Sequence, residues 1–227
     1  MVTAIVLAAG RSSRMGGGIN KQFLELLDKP LLYYSLAAFE SCAAVEAVIL
    51  VRHPDYAKQA GEIVHQFGFR KVAAMVDGGA ERQNSVWNGL ARCSPATEIV
   101  AVHDGARPLV TSLLIEATIQ SARAKGTGIA ATKVTDTIKE ADENLSVLRT
   151  VDRTKLWAVQ TPQTVQFSLL REAYAKVLAD GIVVTDEAAA VERLGHSVCL
   201  VDTPFLNLKV TTSNDLAAVE ALLRQRL

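Results

Sequence analysis

The chain has 227 residues, 49% hydrophobic and 21% charged, enough for one large globular domain with a substantial core. Basic and acidic residues both number 24, so the formal net charge is zero; no global attraction for nucleic acid or a membrane surface is available, although a local basic pocket for a small polyphosphate stays open. Cys42, Cys93 and Cys199 are far apart, odd in number and free of C-x-x-C spacing, which speaks against a disulfide framework or a zinc site and for reduced thiols in the cytoplasm.

The apolar run at residues 4–8 predicts a first buried strand. The stretch 2–9 is too short for a signal-peptide core, no basic residue precedes it, and nothing approaches a membrane span. The strand opens into Ala9-Gly10-Arg11-Ser12-Ser13-Arg14-Met15-Gly16-Gly17-Gly18, with Lys21 close behind. Small residues let backbone N–H groups approach an anion, and Arg14 and Lys21 add positive charge. The loop is not a P-loop, since no Lys-Ser or Lys-Thr follows its glycines, and the dinucleotide fingerprint is absent. By composition alone it is as much a solvated surface loop as a phosphate cradle. Its place directly after the first strand of an α/β pattern favours a ligand site.

Downstream, helices are expected at residues 31–42, 55–67 and 82–92, and strands at 47–51 and 71–76. Pro30 and Pro54 stand near helix starts, where a missing N–H is harmless. The third strand runs into Asp77-Gly78-Gly79-Ala80-Glu81-Arg82-Gln83-Asn84-Ser85. The helix N-terminus and Ser85 could hold a base or phosphate, or the segment is a plain turn and cap. A strand at 98–103 ends in His103-Asp104-Gly105-Ala106-Arg107-Pro108. Asp104 stands where open α/β sheets place functional carboxylates and could help hold Mg²⁺ beside phosphate oxygens. Arg107 could fork onto a phosphate, or simply pair with Asp104. His103 reads as a packed or orienting residue.

A helix at 112–125 and a strand at 128–134 precede a break in the pattern at about residues 135–157. There two roughly alternating runs, 136–140 and 146–151, flank a polar turn at 141–144 and read as an inserted hairpin. An isolated hairpin is marginal in water, so it should pack on something, a second subunit included; Thr137, Arg153 and Trp157 lie in or beside it. Helices at 168–179 and 186–194, strands at 197–201 and 206–210, and a helix at 213–226 complete the chain. Lys209 sits among apolar residues on the last strand, facing a ligand or guarding a sheet edge. The continuous apolar strands predict an α/β fold, a single domain built as a Rossmann-like open, mainly parallel sheet with helices on both faces. Five cations (Arg14, Lys21, Arg107, Arg153 and Lys209) and the carboxylate Asp104 suit phosphoryl or nucleotidyl transfer.

These residues resemble the 2-C-methyl-D-erythritol 4-phosphate cytidylyltransferase family over nearly the whole chain. The resemblance rests on Leu7-Ala8-Ala9-Gly10 through Arg14, Lys21-Gln22-Phe23-Leu24, Gly78-Gly79 through Arg82 and Ser85, and His103 through Pro108. It extends to Val151-Asp152-Arg153, Thr161-Pro162-Gln163, Thr185-Asp186-Glu187 and Asn207-Leu208-Lys209-Val210-Thr211. It implies transfer of CMP from CTP to methylerythritol phosphate with release of pyrophosphate, in non-mevalonate isoprenoid synthesis. By position, Arg14 and Lys21 would stabilise the transition state and Asp104 would assist Mg²⁺. Ala8, Ala9, Gly10, Gly79 and Ser85 would hold the cytidine, and Arg107, Thr137, Arg153 and Lys209 the polyol phosphate. The hairpin would be a dimerisation arm exchanged across a homodimer, so Thr137 and Arg153 would serve the neighbour's site. Asn20 departs from the family's usual proline, and the glycines at 16–18 imply a loop loose before CTP arrives. Two readings compete: a cytidylyltransferase for ribitol 5-phosphate, and a nucleotide-binding regulatory subunit without catalysis.

Overall fold

The computed structural model describes residues 1–10 and 20–225. Arg14 and the glycines at 16–18 therefore lie outside the described residues. The strands are β1 (Val2–Ala8), β2 (Glu25–Leu26), β3 (Lys29–Pro30), β4 (Ala47–Arg52), β5 (Val72–Asp77), β6 (Ile99–Asp104), β7 (Thr127–Lys133), β8 (Ile138–Ala141), β9 (Val147–Val151), β10 (Trp157–Gln166) and β11 (Leu200–Asp202). The helices are α1 (Leu31–Ser41), α2 (Ala57–Gln66), α3 (Arg82–Leu90), α4 (Ser112–Lys125), α5 (Phe167–Ala179), α6 (Glu187–Glu192) and α7 (Ser213–Arg224).

Seven strands form one sheet in the order β11-β7-β10-β6-β1-β4-β5. Four of its pairings are parallel, and the two antiparallel ones both belong to β10. The sheet is thus mixed, with a parallel half, β6-β1-β4-β5. Period-two alternation divides β1 between two cores. Val2, Ala4, Val6 and Ala8 pack with α1, α2 and α4 residues such as Leu36, Ile63 and Ile115. Ile5 and Leu7 pack on the other face with Val86, Leu170 and Tyr174. Each fully buried aliphatic side chain contributes about 1.5–3 kcal/mol. A third cluster under α7 joins Leu26, Leu31, Ala106, Leu109 and Val210 to Val219 and Leu223.

Two expectations are corrected. Residues 206–210 alternate like a strand but form none. Asn207 and Lys209 are held inward by the site and Val210 by the third core cluster, so the segment serves as a strap instead of a ladder partner. The strand expected at 197–201 is the short β11. Conversely, β10 is a full ten-residue strand that the sequence hides, because Pro162 and the glutamines demote it. Pro162 falls in the register irregularity between Val159 and Gln163, where no regular ladder bond is required of it. The hairpin at residues 138–151 exists as the separate pair β8–β9, with Asp142 Oδ1 accepting from the amides of Asn144 and Ser146 in its turn.

Candidate active site

A cleft of about 580 Å³ opens at the carboxyl ends of β1, β4, β5 and β6, where open α/β sheets bind ligands. Among the described residues it is lined by Ala9 and Gly10 beyond β1, His53 to Asp55 beyond β4, Gly78 to Arg82 and Ser85 beyond β5, and Asp104 and Ala106 at the end of β6. Leu7, Lys21, Gln22 and Lys209 complete it.

Local geometry explains how these pieces meet. Gly78 tolerates no side chain: a Cβ there would stand 2.3 Å from the Ala9 Cβ and 3.0 Å from the Ser85 hydroxyl oxygen. The loops after β1 and β5 therefore touch directly. The Ser85 hydroxyl accepts from the Gly79 amide at 3.0 Å and donates to the Glu81 carbonyl at 3.2 Å, stapling the loop to the first turn of α3. Asn20 is nearly fully buried. Its side chain accepts from the Gln22 amide at 3.1 Å and donates to the Gly10 carbonyl at 3.1 Å. It thereby caps the 3-10 turn Lys21–Phe23 and joins it to the loop after β1.

The charged floor centres on Asp104, whose side chain is 12% exposed. Its Oδ1 lies 3.4 Å from Arg82 Nε, and its Oδ2 accepts from Lys209 Nζ at 2.7 Å. Burial raises the Asp104 carboxyl, but Arg82, Lys209 and Arg107 outweigh it and hold the group well below the usual carboxylate range. Lys21 Nζ donates to the Val210 carbonyl at 2.9 Å. The strap 207–210 is also tied by Arg107 Nη1 to the Asn207 carbonyl at 2.7 Å and by the Val210 amide to the Ala106 carbonyl at 2.8 Å.

Beneath the carboxylate, the Asp104 amide donates to Thr161 Oγ1 at 3.0 Å, and that hydroxyl lies 3.1 Å from His103 Nδ1. His103 Nε2 lies 3.3 Å from the Arg107 carbonyl. Burial pushes the His103 ring down to about 3, and with both nitrogens engaged this neutral imidazole orients Asp104 and leaves no proton-transfer role free.

Of the residues expected from sequence, Ala9, Gly10, Lys21, Gly79, Ser85, Asp104 and Lys209 converge on the cleft. Ala8, Arg107, Thr137 and Arg153 do not line it. Thr137 and Arg153 are exposed at the hairpin, where the Arg153 guanidinium donates to the Thr135 carbonyl. Arg107 serves the strap, with its buried Nε left unpartnered. Sequence reasoning assigned no role to Arg82 or Glu187, although both stand in the motifs quoted above. Their importance appears only in the contact between them. Among the described residues no group of three His, Cys, Asp or Glu is placed to hold a metal, and no helix is long and apolar enough to cross a membrane.

A parallel α/β half-sheet with a glycine-lined, cation-rich cleft at its strand ends is the setting in which open α/β enzymes hold phosphate-bearing ligands, and the family match makes the class that of a nucleotidyltransferase. The model of the 2-C-methyl-D-erythritol 4-phosphate cytidylyltransferase family matches residues 2–225, and the chain belongs to that family. A relative of that name from Caldanaerobacter subterraneus is 42% identical over 225 residues, covering 99% of both chains. One from Geobacillus kaustophilus is 44% identical, covering 99% of this chain and 97% of its own. Among solved structures, 4-diphosphocytidyl-2C-methyl-D-erythritol synthase from Anaerococcus prevotii superposes with a TM-score of 0.85 at 29% identity, covering 98% of both chains. The 2-C-methyl-D-erythritol 4-phosphate cytidylyltransferase from Thermus thermophilus gives 0.81 at 31%, covering 97% of this chain and 98% of that one.

Proposed function

We propose that the cleft binds CTP and transfers CMP to 2-C-methyl-D-erythritol 4-phosphate, giving 4-diphosphocytidyl-2-C-methyl-D-erythritol and pyrophosphate. The observation that carries this reading is the meeting of Lys21, Lys209 and Asp104, from three separate segments, in one cleft beside the small-residue loops. An oxygen of the substrate phosphate attacks the α-phosphorus in line; the new P–O bond forms as the bond to pyrophosphate breaks, and the electron pair departs with pyrophosphate. Charge accumulates on the phosphoryl oxygens, and Lys21, with Arg14 seven residues earlier in the sequence, offsets it. Backbone groups at Ala8 to Gly10 and Gly79, with Ser85, hold the cytidine. Lys209, with Thr137 and Arg153 of a partner's hairpin, receives the polyol phosphate, and Arg107 acts on it through the strap that carries Lys209.

Asp104, at the end of β6, would offer a Mg²⁺ the carboxylate oxygen that Lys209 now holds, with triphosphate oxygens and water able to complete the shell. Such an ion, when bound, supplies further charge neutralisation on the triphosphate. We read the chain as one nucleotidyltransferase domain with residues 135–157 as the arm of a homodimer, working in the cytoplasm.

The test is pyrophosphate release over a panel of nucleoside triphosphates and polyol phosphates. CTP with methylerythritol phosphate should lead. Ribitol 5-phosphate should trail by roughly 10–200-fold, the range set by small apolar differences in a pocket. Faster turnover of ribitol 5-phosphate would overturn the choice of acceptor, and CTP binding without pyrophosphate release under any acceptor would indicate a regulatory subunit.

A further inference from the structure

Glu187, the first residue of α6, is wholly buried, a rare setting for a carboxylate without partners. Its oxygens accept from Arg82 Nη1 at 2.7 Å, from Arg82 Nη2 at 3.0 Å, and from the Tyr174 hydroxyl at 2.9 Å. Arg82 opens α3 and lines the cleft. The fork alone would tie α3 to α5 and α6, yet Arg82 Nε also reaches Asp104 Oδ1. The other oxygen of Asp104 holds Lys209.

Asp104 thus stands between two unlike cations. Arg82 is locked from behind by a bidentate, charge-assisted pair set in the core. Lys209 projects a long flexible side chain, 38% exposed, from the strap.

We propose that Arg82, clamped by Glu187, is a positioning residue that anchors Asp104, so that Lys209 can leave it for the phosphate of the polyol substrate while the carboxylate stays in place. The inference rests on the reading of Lys209 as a ligand of that phosphate. Without Arg82, Asp104 keeps Lys209 as its one ion-pair partner among the described residues and withholds it from substrate.

Arg82→Gln alone strands a buried carboxylate and threatens the fold, so the decisive protein is the double variant Arg82→Gln/Glu187→Gln, which leaves no orphan charge. Its KM for methylerythritol phosphate should rise about tenfold and its kcat fall about tenfold, while the CTP dissociation constant, read by calorimetry without added divalent cation, stays within about threefold of wild type. Glu187→Gln, a same-shape change that loosens the clamp, should raise the same KM by about threefold with CTP affinity unmoved. A helix tie without further role would lower the melting temperature and leave this split unmade. A folded double variant with wild-type KM for the polyol phosphate overturns the proposal, whatever its stability. If the double variant does not fold, an unchanged KM in Glu187→Gln overturns it equally. A wild type that releases no pyrophosphate in the same assay overturns instead the functional reading beneath it.

Discussion

Lys21 illustrates how much one side chain's place can settle. Its position after a small-residue stretch makes it a candidate anion ligand, and the folded chain puts its ammonium on the Val210 carbonyl at the cleft. If it offsets charge in the transition state, Lys21→Ala should lower kcat by roughly 10²–10³ with a smaller change in KM. Steady-state kinetics with an unchanged kcat would remove it from the chemistry. Gly78 acts by absence. Adding a methyl 2.3 Å from the Ala9 Cβ forces the loops after β1 and β5 apart, and Gly78→Ala should cost about 1–3 kcal/mol. If the same energy is lost from the nucleotide-bound state, CTP affinity, measured by calorimetry, should fall by about 5- to 150-fold; an unaltered dissociation constant would show that the loops do not cradle the nucleotide together. The place of Lys21, Gly79, Ser85 and Asp104 at the cleft was legible in the sequence because each stands in a segment that follows or ends a strand, whereas Lys209 was marked by its charge among apolar residues on a strand, expected at 206–210, that does not form. Arg82 and Glu187 were not, since each alone reads as an ordinary helix-start residue.

Elements were legible where their ends carry their own signals. Helix α4 begins and ends where expected: the Thr111 hydroxyl accepts from the Leu114 amide, and Gly126 adopts φ 86° at the C-terminus. Strand β10 was illegible because its ladder is interrupted at Pro162, and only its neighbours β6 and β7 on either side make it a strand. Helix α7 carries a capping box, and Asp215 gathers bonds from the Thr211 hydroxyl and amide and the Thr212 amide. These bonds, the Thr211 hydroxyl foremost, hold its carboxyl down at about 2, against 3.8 when unperturbed. Between those values the unfolded chain binds more protons, so stability rises with pH there. The contribution is complete above about pH 4 and is lost as pH falls through about 2. Asp215→Ala should therefore cost about 0.5–2 kcal/mol at neutral pH and flatten the acid limb of a urea-unfolding series. An acid limb as steep as in wild type would assign that pH dependence to other groups.

At the scale of the whole molecule the hairpin β8–β9 stands out for its exposed apolar side chains. Leu145, Val147 and Leu148 are 86%, 59% and 62% exposed on it, and two strands alone are marginal in water. If the arm completes a neighbour's site, Lys21→Ala and Arg153→Ala each inactivate the homodimer. Mixing and refolding them creates heterodimers with one intact site. Pyrophosphate release should then recover in part, and no recovery would count against a site shared between subunits. The sequence by itself determined the α/β alternation, the two faces of the sheet, and the strand-end loops that carry Lys21, Gly79 and Asp104. Those follow from apolar periodicity and from glycine and proline placement, which act over a few residues. Only the tertiary structure decided that β10 enters the sheet antiparallel, that residues 206–210 form a strap, and that Asp104 stands between Arg82 and Lys209. Arg82 meets Glu187, and Lys209 meets Asp104, across 105 residues; such pairings are chosen by the need to neutralise charge as it is buried, and local pattern does not record them.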